Sequence, residues 1–214
     1  MKDIYTVMTD MIGISDEQLA KNMTDRRMVP LHGKIDGDMA RGIVKVMLAL
    51  DFREVAPITL IIGSGGGDVG SSKHICGGIN MLRSPVDGLV VERCASMAVD
   101  ILLNCRERRA IPTAEFFVHF TRTRFECVRD SDAITDREIA IIRKQMTDDK
   151  RERENLYMKR LGKGREEVHE LFRLGEKFQS VEYTAKEALE MGIIDEIETE
   201  FKFFGSADSD RKPT

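Results

Sequence analysis

Three short stretches of this chain combine serine, glycine and histidine in arrangements compatible with catalysis or anion binding. In "VVERCASMAVDILLNC", Val90 to Cys105, Ser96 stands where an apolar run gives way to a second one, with small residues around the Ser-Met pair. A serine at a strand-to-helix junction either caps the helix or acts as a nucleophile, because helix N-terminal N–H groups nearby can steady a developing negative charge. Cys94 is a rival nucleophile on the same face only if the strand continues, and it reads as packing. In "IIGSGGGDVGSS", Ile61 to Ser72, glycines let backbone N–H groups face a ligand with no side chain between. Asp68 stands where a dinucleotide fingerprint needs its third glycine, and the Gly-Lys-Ser/Thr of a phosphate loop is absent. A bare turn or an oxyanion-binding backbone remains. In "FFVHFT", His119 closes an apolar strand and gains meaning only beside a nucleophile. His32 on a turn, and His74 and His169 on helices, read as structural or solvated.

The elements that must position these residues follow from hydrophobic periodicity. "RRMVPLHGKID" gives a short strand ending at Gly33, and Asp36 or Asp38 caps the helix "MARGIVKVMLALD". "PITLIIG" and "PVDGLVVE" are apolar without alternation, as strands covered on both faces are. Helices "VGSSKHICGGINMLRS" and "SMAVDILLNC" follow them, so strand and helix alternate. "RRAIPTAEFFVHF" supplies two short strands around Pro112. From Asp130 to Leu161 the composition turns to a long, highly charged helix with a sparse seam at Ile134, Ile139, Ile141, Ile142, Met146, Leu156 and Tyr157, a pattern of helices that project or meet a partner. "REEVHELFRL" and "TAKEALEMG" are further helices, Gly192 is a stop, and "IIDEIE" is a closing strand.

Composition narrows the function class. The 214 residues are 42% apolar and 33% charged with net charge −4, which suits one α/β core and gives no general pull towards nucleic acid. The basic run Arg106 to Ala110 reads as a solvated rim. No window is long and apolar enough for a membrane span or a secretory signal, which predicts a cytoplasmic protein. Cys76, Cys94, Cys105 and Cys127 lack metal-site spacing and read as reduced, mostly buried thiols.

With the motifs in this order, the chain resembles the Clp protease proteolytic subunit family of serine peptidases from about Met28 to Glu198. Ala95-Ser96-Met97 matches the family's nucleophile motif, "FFVHF" its histidine strand, and Ser64 to Gly67 its Ser-Pro-Gly-Gly turn, with Gly65 for the proline. "TAKEALEMGIID", Thr184 to Asp195, matches its ending. The resemblance implies a ClpP/crotonase-like α/β superhelix of repeated ββα-type units with a projecting charged helix. It divides the chain into a leader or axial segment at 1–27, a peptidase domain at 28–199 containing a handle helix at 130–161, and a disordered tail at 200–214. It implies Ser96 as nucleophile, His119 as base, an oxyanion hole from the N–H groups of Gly67 and Met97, and Gly66 as the residue allowing close approach. It further implies peptide or unfolded-protein substrates, stacked homo-oligomeric rings up to a tetradecamer, and no metal or organic cofactor.

The departures are as specific. The family's acid position holds Ser180, so the third member is Ser180, Glu176 or Glu182, or is missing. Phe120-Thr121 replaces Gln-Pro, and "RTRFECVRD" lacks the glycines of the family's substrate-groove strand. "ITLII" lacks the tyrosines of the docking pocket for an AAA+ unfoldase, so that partnership is poorly matched. Two other readings stand beside the peptidase: a weak or silent ring-building subunit, and a crotonase-like acyl-CoA enzyme in which Ser96 is not acylated.

Overall fold

Strand and helix alternate through the first half of the chain, and the first two strands each end just before an aspartate that caps the next helix. A computed structural model describes residues 16–119, 136–177 and 182–199. Its elements are α1 (Asp16–Asp25), β1 (Met28–Ile35), α2 (Gly37–Arg53), β2 (Ile58–Gly67), α3 (Val69–Met81), β3 (Val86–Ala95) and α4 (Met97–Asn104). Then come β4 (Arg108–Ala110), β5 (Glu115–Phe117), α5 (Asp136–Leu161), α6 (Arg165–Lys177), β6 (Tyr183–Thr184), α7 (Ala185–Glu190) and β7 (Glu196–Ile197). Asp36 rather than Asp38 caps α2, accepting from the Met39 N–H at 3.0 Å. Asp68 caps α3 in the same way, accepting from Ser71 N–H at 2.7 Å.

The strands form one seven-stranded sheet in the order β1-β2-β3-β4-β7, all parallel. β3 is long enough to serve two neighbours. Its first half, Gly88 to Val90, pairs with β4, and its last three residues, Arg93 to Ala95, pair with β5. β5 in turn pairs antiparallel with β6. One strand therefore does the work of two in successive turns of the chain, and the sheet forks where β4 gives way to β5. The core on the helix side joins Met47 and Leu50 of α2, Ile75 of α3, and Ile101 and Leu102 of α4 to strand residues Leu60, Ile62 and Val90.

Several expectations need correction. β1 does not stop at Gly33 but runs to Ile35, with a register shift between His32 and Lys34 and a positive φ at Gly33. His32 is thus a strand residue. The segment 1–27 contains a helix, α1, whose end is anchored by Arg27. That residue has φ 57, and its guanidinium donates to the carbonyls of Leu50, Ala56 and Pro57 at 3.0, 2.9 and 3.1 Å. The basic run at 106–110 is not a solvated rim: Arg106 grips Asp87 with two bonds, Arg108 is buried against Asp195, and Arg109 pairs with Glu198. These partners lie in other segments, which a local reading cannot see. The closing strand covers only two residues, and the 200–214 tail lies outside the described residues.

α5 is 26 residues long, about 39 Å. Between Arg137 and Glu152 none of its described side chains is buried, whereas Arg153, Glu154 and Tyr157 are. Its last turns dock against α4 and α6, Asp149 and Glu152 pair with Lys73 of α3, and Ile141 further up the helix is exposed. Of the expected seam, Tyr157 and Leu156 join the core, Ile141 is exposed, and Ile134 and the side chain of Ile139 lie outside the described residues.

Two predictions follow from this framework. Arg27→Ala removes a set of charge-assisted bonds that closes the α2–β2 turn, and is expected to cost about 2 kcal/mol in urea unfolding. Hydrogen bonds from Ser84, opposed by burial and aided by Arg83, hold the Asp51 carboxyl at about 2. A value below the ordinary one near 4 means stability present above about pH 4 and lost as the pH falls towards 2. The urea midpoint of Asp51→Asn should accordingly vary less with pH across that interval than that of the wild type.

Candidate active site

At the strand-to-helix junction Ser96 does not behave as an ordinary helix cap. Ser96 occupies the N-cap position of α4, yet its side chain makes no capping hydrogen bond. Its backbone sits at φ 55 and ψ −121. For a residue with a Cβ this is a sparsely populated region, costing of order 1–3 kcal/mol, and such strain persists only where the surroundings impose it. The turn resembles the sharp strand-to-helix elbow that presents a nucleophilic serine in other hydrolases.

The surroundings that impose it can be named. The Ser96 N–H donates to Phe117 O at 2.7 Å, continuing the β3–β5 ladder one residue beyond Ala95. Ala95 and Ala98 are buried and admit the close packing of the elbow. From the other side comes the glycine turn at the end of β2. Gly66 has φ +92, and a Cβ there would lie 2.7 Å from Ala95 O, 2.8 Å from Ser96 Cβ and 3.1 Å from the Met97 N. Only glycine lets the turn lie directly on residues 95–97. A Cβ on Gly67 would meet Ile35 O at 2.1 Å, so the second glycine is demanded by β1. Ser64, which sequence reasoning passed over, organises this turn: its buried hydroxyl donates to Gly33 O at 2.5 Å and accepts from Gly66 N–H at 3.1 Å.

Asp68 N–H donates to Ile35 O at 2.8 Å, so strand alternation directs the preceding amide, that of Gly67, towards the opposite edge, the side of β3. Gly67 is exposed there. The elbow and the glycine turn thus bring Ser96, Met97, Gly66 and Gly67 together at the carboxyl ends of parallel strands, where open α/β sheets bind ligands.

His119 follows β5 by two residues and is half-buried, its ring 5.1 Å from that of Phe117. Ala95 pairs with Phe117, so Ser96 follows the last residue pair on β3 and His119 lies two residues beyond it on the β5 side. The His119 carbonyl accepts from Arg153 Nη1 at 2.9 Å. The same guanidinium holds Asp100 of α4 through Nε at 2.7 Å and Nη2 at 3.0 Å, and Tyr157 donates to Asp100 at 3.1 Å. Arg153 and Asp100 are almost fully buried. Burial opposes the Arg153 charge, but the Asp100 carboxylate outweighs it and holds the Arg153 pKa above its ordinary value. Sequence reasoning missed this network. The available signal was Asp100 itself, a lone carboxylate in an otherwise apolar helix that must find a partner.

The remaining candidates fall into place. Burial pushes the Cys94 thiol well above its ordinary value, as it pushes Cys76 up to about 12, so neither is an activated nucleophile. His169 bonds Glu154 at 2.6 Å on the far helices, and His32 lies 3.8 Å from Glu92. Of the three residues considered for orienting His119, Glu182 is exposed and ion-paired with Arg93 at 2.6 Å. Ser180 and the side chain of Glu176 lie outside the described residues, as do Phe120-Thr121, Cys127 and the stretch "RTRFECVRD". Among the described residues no three His, Cys, Asp or Glu side chains gather closely enough to hold a metal ion, and no helix is long and apolar enough to cross a membrane.

The family model described as Clp protease matches residues 13–201. This chain belongs to the Clp protease family. Relatives named ATP-dependent Clp protease proteolytic subunit include one from Streptococcus sanguinis, 26% identical over 80% of this chain and 84% of its own length. One from Streptococcus mutans is 27% identical with the same coverage. A ClpP1 point mutant from Listeria monocytogenes has the same fold, with a TM-score of 0.71 at 22% identity over 86% of this chain and 98% of its own. The α/β superhelix expected from the motifs is therefore the fold of this Clp protease family member, with the ββα units realised partly by long strands shared between two neighbours.

Strain at residue 96 makes a prediction against the usual residue ranking. Glycine ordinarily costs stability relative to alanine, but at φ 55 it alone is unstrained. Ser96→Gly is expected to exceed Ser96→Ala by about 1 kcal/mol in urea unfolding.

Proposed function

We propose that this chain is a serine endopeptidase subunit that cleaves peptides or unfolded proteins, with Ser96 as nucleophile and His119 as general base. The backbone of Ser96 carries the reading: a non-glycine residue held at φ 55 with its hydroxyl uncommitted to the helix cap. His119 takes the serine proton as Oγ attacks the scissile carbonyl and returns it to the leaving amine. The N–H groups of Gly67 and Met97 receive the oxyanion, and Gly66 permits the approach of the two segments. Membership of the Clp protease family favours this chemistry over acyl-CoA chemistry on a related fold.

A cleft of about 110 Å³ between α3, α4 and α5 is lined by Val69, Met97 and Leu156 together with the charged Lys73, Asp149 and Arg153. Stacked rings in the cytoplasm accord with the half of α5 that buries none of its described side chains and with exposed Phe52 and Met81, 82% and 77% accessible in the single chain. The mismatched residues of β2 argue for a partner other than a family-type unfoldase, or for none.

The third member remains Ser180, Glu176 or Glu182, and Glu182 already has its charge matched by Arg93. A neutral or missing partner lowers turnover, by about 10⁴ where an acid was replaced by its amide in another serine protease.

The deciding experiment is intact-mass spectrometry after incubation with a fluorophosphonate. One adduct per chain is expected on the wild type, none on Ser96→Ala, and a rate reduced by about 10³ or more on His119→Ala. Glu182→Gln tests the third member: a fall of about 10² or more in labelling rate assigns it to Glu182, and labelling within about threefold of wild type leaves Ser180 or Glu176. A folded, assembled wild type that takes no adduct would support the silent ring subunit instead.

A further inference from the structure

Arg153 contacts both halves of the proposed catalytic pair's framework, and nothing about its place in a charged helix announces this. Its fork bonds two oxygens of Asp100, one turn along α4 from Ser96, and its third donor reaches the backbone carbonyl of His119. Phe172 and Tyr157 stack around it, the guanidinium carbon lying 5.0 Å from the Phe172 ring centroid and 5.9 Å from that of Tyr157. Among the described residues the β5 ladder ends at Phe117, and the Arg153 bond holds the chain two residues further on, at His119. We propose that Arg153 is a positioning residue that clamps the His119 backbone to the helix bearing Ser96, so that base and nucleophile share one rigid reference.

This rests on the serine-peptidase reading. A lysine could neutralise Asp100 as a point charge but could not present three donors in a fixed plane. A misplacement of about 1 Å in a catalytic constellation costs about 10²-fold in rate. The loss should appear in the chemical step rather than in substrate binding.

Four proteins separate this role from a merely structural one: wild type, Arg153→Lys, Tyr157→Phe, and the double variant Asp100→Leu with Arg153→Met. Tyr157→Phe removes a bond to the same carboxylate but none to His119. The double variant exchanges the buried ion pair for apolar side chains, a change that often preserves stability, and removes the Arg153 bond to the His119 carbonyl. Fluorophosphonate acylation rates, kcat and KM on a fluorogenic peptide, and thermal midpoints are measured for each.

The expected result is a fall of about 30- to 100-fold in acylation and kcat for Arg153→Lys and for the double variant. KM should stay within about threefold, and Tyr157→Phe should acylate at nearly the wild-type rate. The proposal is overturned if the folded double variant acylates like wild type, or if rates across the set simply follow thermal midpoints. Should Arg153→Lys fail to fold, the double variant decides. Absence of labelling in the wild type itself overturns the nucleophile assignment and this proposal with it, an outcome distinct from selective loss in the variants.

Discussion

A carboxylate sealed inside an apolar helix governs how this molecule is assembled. α4 buries every residue from Met97 to Leu103, and Asp100 lies among them. An unpaired charge there would cost several kcal/mol, so the fold requires a cation at that point. Arg153 supplies it from 53 residues away, and docking the end of α5 is the only means of bringing it there. The requirement also explains why a helix as polar as α5 joins the core at all. Tyr157 and Phe172 close over the pair, with rings 4.7 Å apart, and draw α6 into the same cluster.

With α4 so anchored, the junction before it has little room to relax. β3 delivers the chain at Ala95, the Ser96 N–H is taken by Phe117 O, and the glycine turn presses on the elbow from β2. Ser64 ties that turn back to Gly33 of β1. The unusual angles of one serine are thus imposed jointly by three strands and a helix, and the energy they cost is drawn from burial elsewhere in the sheet. A hydroxyl offered at the mouth of a sheet, against the glycine turn of β2, is what remains once those demands are met.

The order of elements was plain in the sequence because each apolar run is bounded by a capping acid or a glycine, as Asp36 and Asp68 show. Residue type could not separate a capping serine from a nucleophile, since both occupy the same junction, and only the fold shows that Ser96 has a backbone at φ 55 and no capping hydrogen bond. Motif order singled out Ser96, His119 and the glycine turn. Ser64, Arg27 and Arg153 stayed hidden, since each works through partners distant in sequence: Gly33, Leu50 to Pro57, and Asp100 with His119. The basic run at 106–110 misled for the same reason, its charges being matched by Asp87, Asp195 and Glu198.

The short pairing of β5 on β3 also acts as a proofreading device. Only three residue pairs define its register, yet along "FFVH" the side chains alternate, with Phe116 and Val118 fully buried and Phe117 and His119 half-exposed. A slip of one residue would drive the imidazole into the core and turn two large apolar groups to water. Burial of Phe116 and Val118 therefore checks the orientation of a side chain that contributes little to that burial itself. A chain whose sheet has mispaired would bury its imidazole, and under the proposed serine-peptidase reading hydrolysis would arise only after the architecture around it is correct.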